Sequence, residues 1–316
     1  DEMVHRLIRS EGYWKSDRSA SFAIRWASAT LRNLQRASRA FQVGEAHYDI
    51  GNDLYREMLD ERMIYSCGYW GADAADIHEA QRDKLDLVCR KVGLDKGMRV
   101  LDVGCGWGGF CRYAAERYGV SCVGLTVSQE QADLAREVCA GLPVEIRVED
   151  YRELDERFDR IVSIGMFEHV GPKNYRTFME IMQRCLKPGG LMLLQTIGSN
   201  LTYRVPDGFI TRYIFPNGHL PSIAQIGAAA EGLLVVEDLH NFGPDYDRTL
   251  CAWNARVEPA WPKLSAADNR YGRRFQRMWR YYLLACAGAF RARRLQLWQW
   301  VLSTGTNPEA YRRVGS

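Results

Sequence analysis

A few short stretches carry residue types that could do chemistry. "VLDVGCGWGGF" sets Gly104, Gly106, Gly108 and Gly109 directly after an apolar run and before a helix-like one. Glycine there permits a tight turn and lets a ligand press against backbone N–H groups. Thr126-Val127-Ser128 and Glu149-Asp150-Tyr151 end two further apolar runs. Glu168-His169 follows a fourth, in a loop closed by "GPKNY". A carboxylate at that place can bind a substrate group, act as a base, or cap a helix. "GLMLLQTIG" (190–198) is apolar without alternation, as a strand covered on both faces should be. It nevertheless contains Gln195, an amide that needs hydrogen-bond partners.

The glycine loop satisfies two templates. Gly104-x-Gly106-x-x-Gly109 matches the dinucleotide fingerprint, and Asp102-x-Gly104-x-Gly106-x-Gly108 matches the S-adenosylmethionine loop of methyltransferases. A nicotinamide site requires an acid about twenty residues on, for the ribose hydroxyls. Here the second apolar run ends in Thr126 with no acid. Asp150-Tyr151 suits an adenine instead, the carboxylate for its amino group and the ring for stacking. Asp102 can answer a cationic methionine portion. The set points to S-adenosylmethionine.

The elements that must position these residues alternate. Apolar runs at 98–104, 120–126, 144–150, 158–165, 190–197, 233–239 and 295–303 read as strands, and 76–92, 110–118, 129–140, 175–185 and 269–290 as helices. Alternation of this kind predicts a doubly wound, mostly parallel α/β sheet. In such sheets the ligand lies beyond the carboxyl ends of the strands. That rule gathers the glycine loop, Thr126, Asp150, the "GMFEHVG" loop and Gln195 around one crevice. Residues 1–44 read as a separate helical segment, with Phe22, Ile24, Trp26, Leu31 and Leu34 spaced among arginines.

Bulk properties restrict the class. At 316 residues and 47% apolar the chain can bury one large core. The run Tyr281–Phe290 has arginines on both sides and is half the length a bilayer needs. Nine cysteines without a Cys-x-x-Cys pair favour a reduced, cytoplasmic protein with no structural zinc. Net charge is only +3, but residues 270–316 hold ten arginines against one acid, and residues 1–44 hold eight Lys/Arg against four acids. Basic flanks on an acidic body suggest an anionic partner, nucleic acid or a phospholipid surface. No nucleic-acid-binding module is recognisable, so nucleic acid is not the expected partner.

With these pieces in place the chain resembles the cyclopropane fatty acid synthases and the related mycolic acid cyclopropane synthases. The likeness runs from about residue 20 to the C-terminus. "GEAHYDIGNDLY" (44–55), "MIYSCGYW" (63–70), "VLDVGCGWGG" (100–109), "VGLTVSQEQ" (123–131), "DRIVSIGMFEHVGPKNY" (159–175), "YIFPNGHLPS" (213–222), "HNFGPDYDRTL" (240–250) and "YYLLACAGAFRARRLQLWQ" (281–299) carry it. Members begin with a further N-terminal module, so 1–44 is expected to be the remnant of one and 45–316 the catalytic domain.

The resemblance implies a Rossmann-like class I S-adenosylmethionine-dependent methyltransferase with a seven-stranded sheet. It implies methyl transfer to the cis double bond of an unsaturated phospholipid acyl chain, then proton loss to a bound bicarbonate as a cyclopropane ring closes. Carried over by position, the bicarbonate pocket would use Cys67, Glu168, Gln195, the Ile197 backbone and Tyr246. Cofactor binding would fall to Tyr65, Ser66, Asp102, Gly104, Gly106, Thr126, Val127, Gln131, Asp150 and Tyr151, with Gln131 supplying ribose contacts. Cys67 is not expected to be a covalent catalyst, because the nucleophile is the alkene. The family keeps a histidine where this chain has Gln195, which can donate a hydrogen bond but cannot carry a proton. A homodimer peripherally bound to an anionic membrane completes the expectation. A methyl-branched product and amine N-methylation are the alternatives.

Overall fold

The computed structural model describes residues 2–9, 50–71, 74–203, 207–306 and 310–315. Most of the expected N-terminal helical segment, including Phe22, Ile24, Trp26, Leu31 and Leu34, lies outside them. The short helix α1 (Glu2–Arg9) is described.

All seven expected strands form. β1 (Arg99–Val103), β2 (Ser121–Thr126), β3 (Val144–Val148), β4 (Phe158–Ile164) and β5 (Leu186–Gly198) run parallel. β7 (Gln296–Ser303) inserts antiparallel between β5 and β6 (Val235–Asn241), giving the order β3-β2-β1-β4-β5-β7-β6. The central strands are buried on both faces, which is why their sequences run apolar without alternation.

Helices α3 (Ile77–Lys91), α4 (Gly109–Tyr118) and α5 (Gln129–Val138) pack on one face, where Leu85, Val88, Phe110 and Ala132 meet Val100, Cys122 and Leu193. Helices α6 (Tyr175–Cys185) and α8 (Ile223–Ala230) cover the other face, with Phe178, Met182 and Ile226 against Leu101, Val123 and Trp300. Caps set several starts. Asp76 accepts from Glu79 N at 2.9 Å to begin α3, and Ser222 with Gln225 makes a capping box on α8.

A third, aromatic layer sits over β5–β7. It is built from α2 (Asn52–Met58), α7 (Gly208–Tyr213), α9 (Gly243–Val257), α10 (Trp261–Ala267) and α11 (Arg273–Arg291). The single helix expected over 269–290 is divided. Asp268 accepts from Arg270 N at 2.8 Å and starts a short 3-10 turn, then Gly272 adopts an extended conformation before α11 begins. Helices α9 and α10 were not expected at all. Yet Tyr246, Leu250, Trp253 and Val257 are buried along one stripe of α9 and face α11.

Candidate active site

Strand order reverses between β1 and β4, and the crevice beyond their carboxyl ends is where an open α/β sheet binds ligands. The glycine loop forms its floor. Gly104 N and Cys105 N both donate to Leu125 O, at 3.0 and 2.8 Å, which ties the loop to β2. Gly104 has φ +91°, and a Cβ there would lie 2.6 Å from Met166 Cβ, so only glycine fits. A cavity of about 180 Å³ opens above the loop. Of the cofactor residues read from the sequence, all ten line it: Tyr65, Ser66, Asp102, Gly104, Gly106, Thr126, Val127, Gln131, Asp150 and Tyr151.

Their roles are more particular than the sequence suggested. Thr126 Oγ1 donates to Gln131 Oε1 at 2.9 Å, so two buried side chains share one position at the end of β2. Asp150 caps a 3-10 turn and accepts from Arg152 Nη1 at 2.7 Å, so its carboxylate is already engaged. Tyr151 is no free stacking platform. Its ring meets Phe178 edge-on at 5.2 Å, Arg152 lies over it at 4.8 Å, and its buried hydroxyl has no hydrogen-bond partner.

Lys84 is the residue sequence reading missed. Only 1% exposed, it lines the cavity and donates to Ser66 Oγ at 3.0 Å. Burial pulls its ammonium down to about 8, against the pull of Asp60, Cys67 and Asp102. Burial likewise pushes the Asp102 carboxyl up to about 7, opposed by the Cys111 thiol and Lys84. One signal was legible: Gln81 and Lys84 fall on the apolar stripe of α3 with Ile77, Leu85 and Val88.

The segment after α2 reaches the cavity because its backbone is fastened down. Asp60 Oδ1 accepts from Ile64 N at 2.8 Å, and Gln81 Nε2 donates to Ser66 O at 2.7 Å. The next residue, Cys67, is fully buried beneath α9. Its Sγ lies 3.7 Å from Thr249 Oγ1, and burial raises the thiol well above its ordinary range, which suits packing and not nucleophilic attack.

The other candidate residues, Cys67, Glu168, Gln195, Ile197 and Tyr246, are not in the lining of this cavity. Glu168 sits in a 3-10 turn just after β4 and does not cap a helix. Its Oε1 accepts from Ile197 N at 2.7 Å, while buried Oε2 has no hydrogen-bond partner among the described residues. Burial pushes its carboxyl up to about 7, with the Ile197 bond opposing. Tyr246, on α9, packs on Phe290 at 4.6 Å. Burial first, then Cys67 and Glu168, raises its phenol well above its ordinary range, so it is a neutral donor.

Gln195 was expected at the rim of the crevice and is instead 1% exposed. The cause is β7, which covers it from the far side of β5. Gln195 stands directly opposite Gln299, and Gln299 Nε2 donates to Gln195 Oε1 at 2.9 Å. Gln195 Nε2 is left buried without a partner among the described residues. An unused acceptor on Glu168 and an unused donor on Gln195 are costly unless a small polar ligand satisfies them. A protonated oxyanion fits that donor set. His169, also singled out, lines the main cavity, where burial lowers it to about 4 and keeps it neutral.

Solved structures share this fold. The chain is similar to mycolic acid cyclopropane synthase CmaA1 complexed with SAH and CTAB, at TM-score 0.77 and 34% identity over 83% of this chain and 97% of that one. It is also similar to coclaurine N-methyltransferase bound to N-methylheliamine and SAH, at TM-score 0.78, covering 96% and 94%, though at 21% identity this likeness is one of fold alone. The fold and glycine-loop cavity are those of a class I S-adenosylmethionine-dependent methyltransferase.

The model of the mycolic acid cyclopropane synthetase family matches residues 35–300. The chain is 52% identical over 314 residues to the cyclopropane-fatty-acyl-phospholipid synthase of Escherichia coli K12, covering 93% of this chain and 81% of that protein. The chain belongs to the cyclopropane synthase family.

Proposed function

We propose that the protein is a phospholipid cyclopropane synthase. It joins a methylene, derived from the methyl group of S-adenosylmethionine, to the cis double bond of an unsaturated acyl chain. When bound, S-adenosylmethionine supplies an electrophilic methyl and bicarbonate supplies a base. The observation that carries the reading is the pair of buried polar atoms, Glu168 Oε2 and Gln195 Nε2, that lack a hydrogen-bond partner among the described residues.

The chain's own residues have distinct tasks. Asp102, Tyr65, Ser66 and Lys84 surround the methionine end, and Thr126 with Gln131 stands at the ribose end, where Gln131 keeps an amide group to offer a hydroxyl. An alkene is a poor nucleophile, so alignment and exclusion of water do much of the catalysis. Tyr65, Trp253, Phe215 and Tyr282 pack into an aromatic cluster that reaches the cavity through Tyr65, with Tyr65 Oη 2.9 Å from Tyr282 Oη. Their ring faces can stabilise positive charge that develops on an acyl chain. Glu168 and Gln195 would hold the bicarbonate between an acceptor and a donor, with Tyr246 as a further donor.

We also infer a homodimer working peripherally on an anionic membrane from the cytoplasm. Exposed Val235 and Val236 on edge strand β6 support self-association. The amide at Gln195 favours one second reading, because it cannot relay a proton. A cation that keeps its methyl protons and instead loses a proton from the neighbouring chain carbon would leave a methyl-branched alkene. The test is to incubate the protein with vesicles of unsaturated phospholipid, S-adenosylmethionine and bicarbonate. The expected lipid is heavier by one methylene and resists mild hydrogenation. Unchanged acyl chains would refute the proposal, and heavier chains that still hydrogenate would select the branched product.

A further inference from the structure

We propose that one face, formed by α7 and the first half of α11, is where the protein seats on an anionic lipid bilayer. This deepens the phospholipid reading above and rests on it. The C-terminal arginines are not one diffuse patch. Arg270, Arg280, Arg291 and Arg313 are each ion-paired, with Asp268, Glu258, Asp247 and Asp238. Arg294 lies over Tyr203. By contrast Arg273, Arg274 and Arg277 are exposed along the start of α11, with no ion-pair partner among the described residues. Exposed Arg212 on α7 adds a fourth cation, lying over the Tyr213 ring at 5.4 Å. Asp207, at the start of α7, accepts from Phe209 N and Ile210 N through Oδ1.

Aromatic rings stand among these cations. Tyr213 is 42% and Tyr281 49% exposed, high for large side chains. Phe209 joins them, 5.5 Å from Tyr213 and 4.8 Å from Tyr281. Tyrosine rings and arginines with apolar stems suit the headgroup layer, where one end of each is dry and the other wet. The face is also continuous with the interior. Phe209, Ile210 and Met278 are partly buried against the aromatic layer that runs on through Phe215 and Tyr282 to Tyr65 at the cofactor cavity. A lipid lying against this face would have its acyl chain at the outer end of that layer. An acidic carrier protein would satisfy the arginines but has no use for the exposed rings.

The experiment is sedimentation with vesicles of dioleoyl phosphatidylglycerol and dioleoyl phosphatidylethanolamine. It compares the full chain with a triple Arg273→Gln, Arg274→Gln, Arg277→Gln variant and with Tyr281→Ser. The triple variant is expected to bind about 100-fold more weakly, and the full chain to lose binding as salt rises. Both variants should keep S-adenosylmethionine affinity and turnover of the same lipid dispersed in detergent. Undiminished vesicle binding in the triple variant would overturn the proposal, as would salt-independent binding. Retention on an acidic acyl carrier protein without vesicle binding would overturn it in favour of a protein partner. Failure of the full chain in detergent would strike the phospholipid reading itself, a separate result.

Discussion

Asp102 and Glu168 are both buried carboxyl groups, and burial pushes both up to about 7, yet their surroundings differ. Asp102 lies in a region that supplies its own balance, with the Lys84 ammonium acting on it and the Cys111 thiol 3.6 Å away. Glu168 is held chiefly by the Ile197 N–H, with its own backbone and the Thr196 side chain also acting on it, and its Oε2 makes no hydrogen bond among the described residues. The cofactor cavity is therefore built largely from backbone and matched charge, on the parallel half of the sheet. The second group of candidate residues, where the antiparallel β7 joins, has side-chain polar atoms that lack a partner among the described residues. A region of the first kind should lose affinity when altered, and one of the second kind should lose turnover.

The largest effect that tests this contrast is expected from Glu168→Gln. It should lower kcat about 100-fold or more while leaving S-adenosylmethionine affinity unchanged by calorimetry. A variant that loses cofactor binding instead would merge the two regions into one. Asp102→Asn should do the reverse, weakening S-adenosylmethionine about 10- to 100-fold, as loss of a charge-assisted hydrogen bond does, with most turnover kept at saturation. Stability gives the same pair a signed pH test. Both carboxyls hold their proton more tightly folded than unfolded, so their contribution is fully present below their ordinary values of 3.8 and 4.5 and is lost as pH rises through about 7. The ligand-free protein should thus lose Tm between pH 5 and 7 relative to an Asp102→Asn, Glu168→Gln double variant. A constant gap between the two melting curves would remove the burial argument.

The smallest effect is expected at Gln195→His. It should lower the bicarbonate concentration for half-maximal rate by about threefold to tenfold. If neither rate nor bicarbonate dependence moves, Gln195 serves the strand and not the pocket.

The two halves were also unequally legible. The parallel strands announced themselves because burial on both faces leaves uninterrupted apolar runs, and the glycine loop because its backbone geometry admits few residues. Side-chain pairings could not be read. That Asp150 is held by Arg152, and that Tyr151 belongs to the Phe178 core, depends on how the chain closes around them. Helix α9 was passed over because its opening "GPDYDR" reads as a turn, although its buried stripe continues to Val257. Gln195 was noticed and Gln299 was not. Yet both are amides inside buried runs, and only the antiparallel pairing of β5 with β7 shows that they belong together.

That pairing has a consequence for what the pocket can recognise. One hydrogen bond joins the two amides, with Gln299 donating and the Gln195 nitrogen left over. Turning both amide groups over keeps one bond but leaves the Gln195 oxygen facing outward from the pair instead. The two side chains together can thus present either a donor or an acceptor, as a single neutral histidine does by exchanging tautomers. In one setting the pocket greets an anion with a donor, and in the other it refuses one. The occupant that stabilises the first setting decides which protein is ready to react.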